Sequence, residues 1–167
     1  MAFPLIVPHN DGAGVIDAVG AGVNKARVGQ RVWVYGAQSH QPFGTAAQFT
    51  VVPDAQAVGL PAEVSSEVGA SLGNTGITAH RALFRDGPIE GKRVLVHGVL
   101  GGVGSLAAQL ARWAGAEVIG TVRRTNDLDI VDPSVVSHAV ALDQPDPAGA
   151  IREHAPDGAR RGHDGGR

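Results

Sequence analysis

Val94-Leu95-Val96-His97-Gly98-Val99-Leu100-Gly101-Gly102-Val103-Gly104 carries an apolar run into a glycine cluster that opens directly into a helical pattern. These three parts in this order describe a dinucleotide-phosphate cradle. Arg93 to His97 is short and rich in branched aliphatic residues, as a central parallel strand covered on both faces should be. Gly98, Gly101 and Gly104 stand three apart, giving GxxGxxG rather than the stricter GxGxxG. Glycines at such positions permit a tight turn, a close approach of backbone to pyrophosphate, and close packing of the helix on its strand. The first-turn N–H groups and the positive end of the helix dipole then face the phosphates. Val103, Leu106, Ala107, Leu110, Ala111 and Ala114 keep the 3.6-residue rhythm, and Gly115 supplies a stop. Taken alone, the glycines also fit a tight β–α connection with no ligand.

Ala116 to Val122 reads as a second strand and ends in Arg123-Arg124. Here, about 20 residues past the glycines, an acidic side chain would grip the ribose hydroxyl of NAD. Two guanidiniums stand there instead, and their forks suit the 2′-phosphate of NADP. The competing reading of the arginines is a solvated surface.

At this point the chain resembles a family. Residues 94–124, VLVHGVLGGVGSLAAQLARWAGAEVIGTVRR, look like the cofactor-binding segment of the zinc-independent medium-chain dehydrogenases/reductases, in their NADPH:quinone oxidoreductase branch. Val7-Pro8-His9-Asn10-Asp11-Gly12-Ala13-Gly14-Val15-Ile16-Asp17-Ala18-Val19-Gly20 is similar to that superfamily's signature block before the first domain's core. Val28-Gly29-Gln30-Arg31-Val32-Trp33 matches its VGDRV segment, and Gly76-Ile77-Thr78-Ala79-His80 resembles the G-(L or I)-T-A segment that follows the link between domains. The four blocks occur in the family's order and cover most of the chain to residue 155.

The resemblance implies an α/β chain: a partial GroES-like β-barrel over residues 1–62, then the first half of a Rossmann dinucleotide-binding domain over 63–155 with leading linker helices. Local patterns agree with that division. Gly14 to Val19, Arg31 to Tyr35 and Ala47 to Val52 read as strands, Ser65 to Leu72 and Thr75 to Phe84 as helices, Val135 to Leu142 as a third parallel strand, and Pro147 to His154 as a short helix. Family members run about twice this length, and a complete doubly wound sheet needs about six strands. The chain therefore reads as a truncated member. Residues 156–167, PDGARRGHDGGR, hold four glycines and no branched aliphatic, so they can bury almost nothing. A reading-frame shift or truncation after Asp157 or Gly158 is the expectation, against a genuinely disordered terminus. Translating the neighbouring frames of the coding DNA separates the two.

Departures from the family's zinc-dependent members are informative. Their first block reads GHE, with a metal-ligating histidine; aligned on Gly14 and Val15, that histidine falls on Asn10 and the glutamate on Asp11. The chain has no cysteine, which excludes thiolate-bound zinc. His9, His40, His80, His97, His138, His154 and His163 show no metal-ligand spacing, so no metal site is expected.

Composition narrows the remaining classes. The 167 residues carry 14 Lys and Arg against 16 Asp and Glu, a formal charge of −2, interspersed rather than blocked. That pattern suggests neither nucleic acid nor an anionic membrane as partner. No apolar stretch approaches the roughly 18–20 residues that cross a bilayer, and the N-terminal segment lacks the basic region of a signal peptide. Without cysteines there is no disulfide evidence for secretion, and a reductase of this kind is expected in the cytoplasm.

By resemblance, NADPH would donate a hydride to a small-molecule quinone or enone, the cofactor supplying the chemistry and the protein orienting it. Gly98, Gly101, Gly102, Val103 and Gly104 would hold the pyrophosphate through backbone groups, and Arg123 and Arg124 the adenosine phosphate. Thr78 is either a contact near the nicotinamide or an ordinary helix hydroxyl bonded to a preceding carbonyl. Asn10 and Asp11 lie toward the substrate cleft by the alignment, or Asp11 simply forms the turn before Gly12. Tyr35 could donate a proton, or be packing with a wet hydroxyl. No catalytic residue is assigned. An intact member would be expected to form a homodimer. The alternatives are a catalytically inactive fragment and a non-catalytic nucleotide-binding module.

Overall fold

Gly12–Val15 (β1), Arg31–Val34 (β2) and Ala57–Gly59 (β3) form an antiparallel sheet in the order β1-β2-β3. The computed structural model describes residues 3–39 and 41–161, and the chain divides into two compact units, Met1–Asn74 and Thr75–Arg167. In the first, the alternation of β2 turns Val32 and Val34 inward, where they form a small core with Ala37, supported by Ile16, Val52 and Ala57. Arg31 takes the other face and donates to the carbonyls of Pro61, Ala62 and Val64 at 2.7–3.0 Å, tying the segment after β3 to the sheet. Ser65 then caps helix α1 (Ser66–Ser71), its hydroxyl accepting from the Val68 N–H.

Two expectations for this unit are corrected. Ala47–Val52 is not a strand. Phe49 and Val51 are 68% and 84% exposed, and branched residues make a strand only where a neighbouring strand takes up their backbone groups. The third strand is instead Ala57–Gly59, placed by pairing of Val32, Trp33 and Val34 with Gly59, Val58 and Ala57. The first strand begins two residues earlier than expected and ends at Val15.

The second unit is a parallel sheet with helices. Helix α2 (Gly73–Phe84) leads to β4 (Arg93–Val96), α3 (Gly102–Trp113), β5 (Glu117–Val122), β6 (His138–Ala141), α4 (Pro147–His154) and β7 (Arg160–Arg161). Val118 to Val122 are all buried, which explains why β5 reads as a continuous apolar run. Between β5 and β6 the chain makes a 3-10 helix, Thr125–Ile130, whose Leu128 joins Val131 and Val135 against the core. Gly115, at φ +79, closes α3, as its position predicts.

Strand order is β6-β5-β4-β7, every pair parallel. The chain thus walks outward from β4 through β5 to β6, then crosses back to β4's other edge. That is the order of the first four strands of a doubly wound sheet, with its reversal at β4. Residues 160–161 lie in the segment expected to bury almost nothing, yet they pair with Val94 and Leu95. Residues 162–167 of that segment, with His40 and His163, lie outside the described residues.

Candidate cofactor site

Beyond Val96 the chain leaves β4 in a turn held by one internal hydrogen bond and by bonds to Thr121 of β5. Gly98 adopts φ +67, a left-handed conformation that favours glycine. Nothing stands within 4 Å of where its Cβ would project, so the turn is open on that side. The Gly101 N–H donates to the Gly98 carbonyl at 2.9 Å and closes the turn. Gly104 serves the opposite purpose. A Cβ there would lie 2.7 Å from the Gly98 carbonyl carbon and closer still to its oxygen, so only glycine lets α3 seat against the turn.

These bonds sort the candidate amides. The Gly98 N–H donates to Thr121 Oγ1 at 3.1 Å, the Val99 N–H to the Thr121 carbonyl at 3.1 Å, and the Ser105 N–H to the Gly101 carbonyl at 2.8 Å. Gly98 therefore shapes the turn without offering its own N–H. Gly101, the N-cap residue, has no side chain to cap α3. The amides of Gly102, Val103 and Gly104 form the first turn of that helix, where N–H groups lack intrahelical acceptors. An open glycine turn ending in an uncapped helix fits a pyrophosphate group, whose oxygens would take these donors.

Arg123 and Arg124 follow β5 at the same strand ends and are exposed. Neither makes an ion pair among the described residues. Asp127 accepts from the Arg124 N–H at 3.2 Å, and Asp143 accepts from the N–H and hydroxyl of Thr125 at 2.9 and 2.8 Å, so the loop is shaped while the guanidiniums remain outside it. Thr78 is exposed on α2, and Thr75 of the same helix lies beside the glycine turn, its methyl 3.4 Å from where a Cβ on Gly102 would stand.

The polar residues expected toward a substrate are engaged within the first unit. Asn10 Oδ1 accepts from the Gln38 N–H at 2.9 Å, and the Tyr35 hydroxyl donates to the Ala55 carbonyl at 3.2 Å. Asp11 Oδ2 accepts from the Asn74 N–H at 2.7 Å, at the start of α2, while its Oδ1 is buried without a partner among the described residues. Among the described residues no three His, Cys, Asp or Glu side chains gather closely enough to hold a metal, and no helix is long and apolar enough to cross a membrane.

Two features escape sequence reasoning. Thr121, fully buried, is bonded to both the Gly98 N–H and His97 Nδ1; the only signal was one hydroxyl inside an apolar strand. At the other end of the sheet, Glu117 joins three strands, bonding Arg93 Nε at 3.1 Å and His138 Nε2 at 3.0 Å. The hydrogen bond from His138, then that from Arg93, holds its carboxyl below the usual range. His138 in turn stacks on His154 with ring centres 4.0 Å apart. An open cavity of about 460 Å³ there is lined by Gly91, Lys92, Arg93, Glu117 and Gly158, at the strand ends away from the glycine turn.

Residues 1–62 match the alcohol dehydrogenase GroES-like domain. The chain is 40% identical over 115 residues to quinone oxidoreductase from Rattus norvegicus, covering 68% of this chain and 34% of that protein. A solved quinone oxidoreductase from Pseudomonas syringae superposes with a TM-score of 0.78 at 31% identity, over 93% of this chain and 48% of that one. A mycobacterial protein solved as a complex with NADPH does so with a TM-score of 0.71 at 29% identity, over 88% of this chain and 45% of that one. The chain thus spans about a third of the rat relative and about half of these solved structures. Its doubly wound strand order, its glycine turn and these likenesses agree: the chain belongs to the medium-chain dehydrogenase/reductase superfamily, in the quinone oxidoreductase branch.

Proposed function

We propose that this chain takes part in a zinc-independent oxidoreductase reaction in which NADPH reduces a quinone or enone. Residues 1–62 are the GroES-like part and 63–155 the nucleotide-binding part. The observation that carries the reading is the uncapped first turn of α3, beneath an open glycine turn where the strand order reverses. The amides of Gly102, Val103 and Gly104 would take the pyrophosphate, Gly98 and Gly101 would shape the turn, and Arg123 and Arg124 would take the adenosine 2′-phosphate. Thr78 would contact the cofactor from α2. Bound NADPH supplies a hydride; the protein's part is to orient it and exclude water. The absence of cysteine and the engagement of Asn10 with the Gln38 N–H support chemistry without zinc. Calorimetric titration with NADPH tests the site, and loss of NADPH absorbance with a simple quinone tests the reaction. No binding heat would overturn the cofactor assignment. Light scattering tests the homodimer proposed from the resemblance.

One observation favours a second reading, nucleotide binding without turnover. Asn10, Asp11 and Tyr35 each direct a polar atom to a partner inside the first unit rather than presenting it to a substrate. Binding of NADPH with no consumption in the presence of quinone would select that reading.

A further inference from the structure

We infer that Thr121, a residue no cofactor would touch, is the positioning residue of the glycine turn. This rests on the cofactor reading above for its consequence, and on hydrogen bonding alone for its structural part. The β4–β5 ladder ends with Val96 opposite Gly120, so Thr121 is the next rung, where β4 has already become the turn. There its side chain replaces a missing strand partner. Oγ1 accepts from the Gly98 N–H at 3.1 Å and lies 3.2 Å from His97 Nδ1, while its main-chain carbonyl accepts from the Val99 N–H at 3.1 Å. Three consecutive residues, 97 to 99, are thus tied to one residue of the neighbouring strand.

Thr121 is the buried polar residue among the described residues, with 0% of its surface exposed, whereas His97 and Gly98 are exposed. A hydroxyl so placed needs an acceptor for its own proton. With Gly98 N–H already a donor to it, that acceptor is His97 Nδ1, which assigns His97 the neutral tautomer carrying its proton on Nε2. The hydroxyl fixes the left-handed Gly98 through its N–H. Gly98 in turn sets the carbonyl that receives Gly101 N–H and crowds Gly104. Thr121 therefore determines where the first-turn amides of α3 point.

The test compares Thr121→Val and Thr121→Ser in the full chain. Thr121→Val removes the acceptor of Gly98 N–H but leaves the carbonyl that holds Val99 N–H. Amide exchange followed by NMR should accelerate at Gly98 by at least about tenfold while Val99 stays protected. NADPH affinity should fall by about tenfold or more in Thr121→Val and return in Thr121→Ser. Nitrogen chemical shifts of His97 in the unaltered protein should report the Nε2–H tautomer. Unchanged Gly98 exchange in Thr121→Val overturns the structural part, and so does an unprotected Gly98 amide in the unaltered protein, which decides the matter should Thr121→Val fail to fold. Unchanged NADPH affinity with accelerated exchange overturns the positioning role and leaves the cofactor site standing. Failure of the unaltered protein to bind NADPH overturns the cofactor reading and the positioning role together, with Gly98 exchange still judging the turn.

Discussion

At Gly104 an added methyl would be driven into the carbonyl of Gly98, whereas at Gly98 it would project into open space from a left-handed backbone. One glycine answers to crowding and the other to conformation, and alanine substitutions should separate them. Gly98→Ala should cost about 1–2 kcal/mol, the strain of a left-handed alanine, and reduce NADPH affinity modestly. Gly104→Ala must shift backbone against backbone; it should cost about 3 kcal/mol, the upper range of overpacking, and abolish NADPH binding. Denaturant unfolding and calorimetry on both variants check the contrast. Charge at the neighbouring strand end is a separate matter. Replacing Arg123 and Arg124 by glutamate should weaken NADPH by at least about tenfold, as expected for loss of charge-assisted bonds, and leave NADH nearly unaffected. Equal losses for the two cofactors would remove the arginines from the 2′-phosphate. Of the residues in this site, the glycines were visible in sequence because spacing alone names them. Thr121 was hidden because its partners lie more than twenty positions away along the chain.

Strands β4, β5 and β6 begin with Arg93, Glu117 and His138, and the carboxylate in the middle is shared between the other two. Its lowered titration makes a signed prediction. A carboxyl whose folded value lies below its unfolded value stabilises fully above the unfolded value, about 4.3 for glutamate, and this is lost as pH falls through the folded value. Glu117→Gln should therefore be less stable than the unaltered protein at pH 6–7, and the difference should vanish in the acid range below the usual carboxylate value. Thermal melts of both proteins from acid to neutral pH check this; a gap persisting in acid would show that the glutamate acts by packing instead. The elements themselves were unevenly legible. Helix α4 has the predicted bounds, Pro147–His154, because Asp146 caps it through the Gly149 N–H at 2.8 Å and proline opens it. Ala47–Val52 failed because composition suits a strand but pairing makes one, and Ala57–Gly59 was missed because two of its three residues are small.

Across the molecule, a cofactor held at the glycine turn should act unequally on the two units. Ligand at a hundred times its dissociation constant stabilises the folded state by about 2.7 kcal/mol. Exchange measured by mass spectrometry with saturating NADPH should slow more over residues 93–122 than over the antiparallel strands β1 and β2. Equal protection of both, or protection of the first unit alone, would place the ligand elsewhere. Local pattern was enough to determine the strand, glycine turn and helix from 93 to 115, while the superfamily came from the resemblance of four sequence blocks. Helical period, branched runs and glycine stops act over a few residues and need no distant partner. Tertiary structure alone decided that the Gly98 N–H is taken by Thr121, that Thr75 lies beside the glycine turn, that Arg160–Arg161 returns to β4, and that Glu117 binds three strands together. Those outcomes depend on register between segments far apart in the chain, and a shift of one residue exchanges the faces of a strand without altering any local pattern.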